Sequence, residues 1–115
     1  MPGIQRIGNV FYRAPDMDAA VHFYSEVLGF TMKFRDGDHW AAFDVAGMTL
    51  AVEGGAPGGS GGATVSLRVD GGLAALVEEL RAKGANVTDV DSGPHERRAS
   101  VQDPAGNTLV LYEPA

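Results

Sequence analysis

The chain has 115 residues, no cysteine, and a net charge of −6 from 15 acidic and 9 basic side chains. That length suits one domain able to bury a core unaided, and the missing cysteines exclude disulfides and thiolate metal sites. The acidic balance argues against nucleic acid as a partner, which needs a basic surface. The opening Met-Pro-Gly-Ile-Gln-Arg lacks the apolar run of a signal peptide, and no apolar run approaches the roughly 20 residues of a membrane span. A cytoplasmic protein is expected, with no membrane as partner.

Ile7 to Ala14 is rich in aromatic and branched residues and reads as a strand. Pro15 ends it, and Asp16 is a suitable helix cap. Met17, Ala20, Val21, Tyr24, Val27 and Leu28 then recur at helical spacing, and Gly29 supplies a stop. Phe30 to Arg35 reads as a strand, and Asp36-Gly37-Asp38 as a turn. Two further strands, His39 to Val45 and Met48 to Glu53, flank the tight turn Ala46-Gly47. Gly54 to Gly62 is a linker by composition.

The order then repeats. Thr64 to Val69 reads as a strand, and Leu73, Leu76, Val77 and Leu80 as one helical face that stops at Gly84. Strands follow at Ala85 to Val90, Arg98 to Gln102 and Thr108 to Tyr112, the last two around the turn Asp103 to Asn107. Residues 47–52, Gly-Met-Thr-Leu-Ala-Val, are echoed at 106–111 by Gly-Asn-Thr-Leu-Val-Leu. The expected fold is α+β: one domain over residues 1–115, made of two tandem βαβββ modules (4–53 and 63–113, linker 54–62) whose curved mixed sheets surround a cleft.

Strand alternation sorts the side chains. Val10, Tyr12, Phe43, Val45, Met48, Leu50 and Val52 belong to the helix side of the first module. Val65, Leu67, Val69, Leu109 and Leu111 belong to that of the second. The opposite faces carry Asn9, Phe11, Arg13, Trp40, Ala42, Asp44, Thr49, Ala51 and Glu53, then Thr64, Ser66, Arg68, Thr108, Val110 and Tyr112. Aromatics among a few polar groups are the makings of a small-molecule site.

Two segments carry a resemblance to a known family. Pro15-Asp16-Met17-Asp18-Ala19-Ala20, with Phe23-Tyr24 and Val27-Leu28-Gly29-Phe30 after it, is similar to the first helix of the glyoxalase / bleomycin-resistance / extradiol-dioxygenase (vicinal oxygen chelate) superfamily. Asp103-Pro104-Ala105-Gly106-Asn107 resembles its closing DPxGN turn. The resemblance spans about Ile7 to Glu113. It implies βαββ-type modules around a cavity and a homodimer, sometimes with exchanged strands. In the enzymes of this group a divalent metal polarises substrate oxygens. Its four ligand positions carry over to Asn9, Ala51, Thr64 and Val110, none of them a histidine or a carboxylate. A transition-metal site needs about three nitrogen or carboxylate ligands, so no metal and no cofactor are expected.

The expectation is therefore a metal-independent binding protein for a small molecule, such as an antibiotic or an aromatic or cationic metabolite. Its ligand-binding candidates are Asn9, Phe11, Arg13, Trp40, Asp44, Glu53, Thr64, Ser66, Arg68, Val110 and Tyr112. The alternative is an enzyme of the group, a lyase, isomerase or dioxygenase. It would use Glu53 or Asp44 as a general base, or a metal relocated to groups such as Glu53, Asp44, His39, His22 or His95. A dimeric module without a ligand is the third reading.

Overall fold

The first unit, Met1–Ala56, grows from the helix that Asp16 caps. The computed structural model describes residues 3, 8–56, 64–94 and 96–115. In this unit they form β1 (Val10–Ala14), α1 (Met17–His22) with a π turn (Phe23–Val27) after it, β2 (Thr31–Asp36), β3 (Trp40–Val45) and β4 (Met48–Gly54). The Asp16 carboxylate accepts a hydrogen bond from Ala19 N at 3.1 Å, satisfying one of the unpaired donors of the first turn.

Phe23 follows Ala20 by three residues and precedes Val27 by four, and it is buried with them beside Tyr24. The π turn after α1 is closed by Leu28 N on Phe23 O at 2.9 Å. The Phe23 ring meets Tyr24 edge-on at 5.0 Å, and Tyr24 lies 5.6 Å from the Phe43 ring. Phe43, Leu50 and Val52 complete this core.

The first sheet has the order β1-β4-β3-β2. β1 runs parallel to β4, and the other pairs are antiparallel. Ala46 (φ 51°) and Gly47 (φ 90°) make the β3–β4 turn in the left-handed conformation that a two-residue hairpin requires. Val10 and Met48 correct the expected core. Val10 begins an edge strand and Met48 flanks the turn, and both are exposed, Met48 by 60 %. Arg35 on β2 reaches Asp18 on α1 at 2.7 Å, and this hydrogen bond pushes its already basic guanidinium higher.

The second unit, Pro57–Ala115, contains β5 (Val65–Arg68), α2 (Leu73–Ala82), β6 (Asn86–Val87), β7 (Asp91–Ser92), β8 (Glu96–Gln102) and β9 (Thr108–Pro114). Its sheet has the order β5-β9-β8-β6, with β7 also paired to β8. Leu73, Val77 and Leu80 of α2 are buried with Leu109, Leu111, Ala99 and Val101. Two short strands replace the one expected over residues 85–90. At Thr88 the side-chain oxygen, not the backbone, accepts from Ser100 N at 2.9 Å, and the regular ladder stops there.

The closing turn is held by the buried Asp103. Its carboxylate accepts from Ala105 N, Asn107 N and the Asn107 amide at 2.8–3.0 Å. The α2 N-terminus is capped from a distance. Gly72, in the left-handed conformation, offers no side chain, and Glu113 of β9 accepts from Leu73 N at 3.2 Å. Glu113 is 3 % exposed and ion-paired to Arg97.

Each unit thus runs strand, helix, then antiparallel strands, and the fold is α+β with two mixed sheets. Gly54, counted into the linker by composition, closes β4, while residues 57–63 lie outside the described residues. Among the described residues, no helix is long and apolar enough to cross a membrane.

Candidate functional site

On the first sheet, alternation and register assemble one face opposite α1. Phe11 stands against Ala51, Ala51 against Ala42, and Ala42 against Phe34. One row further, Arg13 stands against Glu53, and Glu53 against Trp40. The two alanines are buried, whereas Phe11 is 44 % and Phe34 55 % exposed. The Phe11 and Trp40 rings lie 5.5 Å apart at 55°. Small side chains in the middle rows let these larger ones stand clear of the sheet, giving an exposed aromatic surface.

The charges on this face are internally balanced. Arg13 Nε donates to Glu53 Oε1 at 3.1 Å. Asp44 accepts from Gly47 N at 3.2 Å and serves the hairpin turn. The register therefore brings Phe11, Arg13, Trp40 and Glu53 together, and leaves Asp44 four residues along β3 from Trp40. Asn9 lies before β1 and is exposed.

The second sheet presents a different surface at the matching rows. Ser66, Val110 and Ser100 form one row, and Arg68, Tyr112 and Arg98 the next. Thr64 lies before β5 and is exposed. Arg98 is the residue that sequence reasoning missed. Counting back by twos along β8 from Gln102 through Ser100 puts Arg98 on this face.

The side chains at the four positions implied for a metal do not suit one. Ala51 and Val110 present only methyl groups, while Asn9 and Thr64 offer neutral oxygens. Among the described residues, no three His, Asp or Glu side chains gather where an ion could be shared. His22 and His39 are exposed, and His95 lies outside the described residues.

Comparison with known proteins agrees with this architecture. An uncharacterized protein of Mycolicibacterium smegmatis is 39 % identical over 103 residues, 86 % of this chain and 85 % of its own. Among solved structures, TnmS3, an antibiotic binding protein from Streptomyces sp. CB03234, superposes with a TM-score of 0.81 at 25 % identity over 100 % of both chains. Lactoylglutathione lyase from Agrobacterium tumefaciens does so at 0.75 and 23 % identity, over 96 % of this chain and 95 % of its own, a likeness of fold. The model of the glyoxalase-like domain matches residues 9–112, and the chain belongs to that family, within the vicinal oxygen chelate superfamily.

Proposed function

We propose that the protein binds a small molecule with a planar aromatic group on the Phe11–Trp40 face of the first sheet, and does so without a metal ion. The carrying observation is the ring pair of exposed Phe11 and half-buried Trp40 beside the buried Ala42 and Ala51. A partly exposed aromatic pair keeps area that a ligand ring can cover, at about 0.5–1.5 kcal/mol per stacked partner beyond area burial. The full-length likeness to an antibiotic binding protein supports this class of ligand. Arg13 already pairs with Glu53, so a cationic ligand group has to compete for that carboxylate. The homodimer and cytoplasmic location belong to the same proposal, and light scattering on the purified protein reads the first.

The test is calorimetric titration with a panel of antibiotic-like aromatics, with and without a chelator. The reading requires a binder whose affinity the chelator leaves unchanged and Trp40→Ala lowers about tenfold, the cost of one lost stacking partner. Binding that needs a divalent metal, or that ignores the substitution, refutes it.

A further inference from the structure

The second sheet holds two arginines that, among the described residues, form no ion pair. Among the described residues, Arg13, Arg35, Arg81, Lys83 and Arg97 each pair with a carboxylate, and Lys33 donates to Thr49. Arg68 and Arg98 make no such bond in a chain whose acidic groups outnumber its basic ones, 15 to 9. Chance placement would scatter two unpaired cations. Instead both stand in one row, on either side of Tyr112, and the row ends at Asp91, which stands against Arg98 without an ion pair to it. Their strands are two spacings apart, about 10 Å, a span that two arginine side chains close onto one group between them. The adjacent row adds the hydroxyls of Ser66 and Ser100.

Guanidinium forks match the paired oxygens of a carboxylate or phosphate. The tyrosine ring between them suits a ligand that joins such an oxyanion to an apolar or aromatic body. We infer that the Arg68–Tyr112–Arg98 row of β5, β9 and β8 is a binding site for an oxyanion, a carboxylate or phosphate monoester, carried by a small molecule. The site lies wholly within the second unit and stands or falls apart from the Phe11–Trp40 surface.

The experiment is an NMR titration of the isotopically labelled full chain with phenyl phosphate, benzoate, inorganic phosphate and benzylamine, paired with calorimetry. Phenyl phosphate or benzoate is expected to shift resonances on β5, β8 and β9, and the stronger of the two names the anion. Arg68→Gln and Arg98→Gln are each expected to weaken that binding about tenfold or more. Arg81→Gln on α2, whose arginine is paired with Glu78 and Asp89, leaves it unchanged. Both row arginines are exposed, so the variants should melt like the parent. If one does not, Arg→Lys at the same position keeps the charge and loses the fork, and intermediate binding is then required. Shifts confined to other strands, equal response to benzylamine, or full affinity in both glutamine variants overturns the site.

Discussion

Two sheets with matching register carry opposite chemistry, and one row accounts for it. In the first sheet the row reads Arg13, Glu53, Trp40, Asp36; in the second it reads Arg68, Tyr112, Arg98, Asp91. Glu53 neutralises the arginine beside it. Its counterpart Tyr112 cannot, and Trp40's counterpart is a further cation. The helix sides diverge in the same manner one residue later, where Gly54 answers to Glu113. Glu113 caps a helix whose own Gly72 has no side chain, whereas α1 is capped locally by Asp16. Gly54 cannot take that role, because a Cβ there would run into the carbonyl oxygen of Asp38. A repeated backbone thus fixes where side chains stand, and single substitutions in the central strand decide what each half can bind and how each helix is held.

The helix caps offer the largest effects with which to break this comparison. Glu113→Ala is expected to cost about 3 kcal/mol by urea denaturation, because it leaves Leu73 N uncapped and Arg97 without its buried partner. Gly54→Ala should cost about 2 kcal/mol, since the obstruction is backbone and not a side chain that can swing aside. Asp16→Ala should cost about 1 kcal/mol, the ordinary worth of a local cap. Equal losses at Asp16 and Glu113 would mean that the distant cap adds nothing beyond a local one.

The face assignments were legible in the sequence because a strand's two-residue period is rigid. Phe11, Trp40, Glu53, Arg68 and Tyr112 stand where alternation places them. So does the Asp103–Asn107 turn, whose residue types leave little choice of backbone. What stayed hidden involves partners distant in sequence or departures from a period. The π turn over Phe23–Val27 departs from the regular helical period. Glu113 reads as a charge near the end of a strand until the fold sets it against a helix 40 residues upstream. Arg98 belongs to a row that exists only once β8 has paired with β9. Whether an arginine is neutralised is likewise a property of its neighbours across the sheet, which no local window contains.

The smallest effect on stability bears most directly on the comparison. Glu53→Gln removes the charge that distinguishes the first row while keeping the size and hydrogen-bonding capacity of the side chain. The Arg13–Glu53 pair is roughly half exposed (53 % and 39 %), so urea denaturation should shift by no more than about 0.5 kcal/mol. Binding should change more. With the Glu53 charge removed, the first face is expected to gain affinity for an aromatic carboxylate such as benzoate, in a manner that weakens with added salt, and to lose whatever preference it had for aromatic amines. The gain should stay below that of the second row, because one guanidinium beside Trp40 lacks the second fork that Arg98 provides. A first face still indifferent to anions after Glu53→Gln would show that removing the neighbouring carboxylate is insufficient, and that recognition in the second sheet depends on the two arginines acting on one group together.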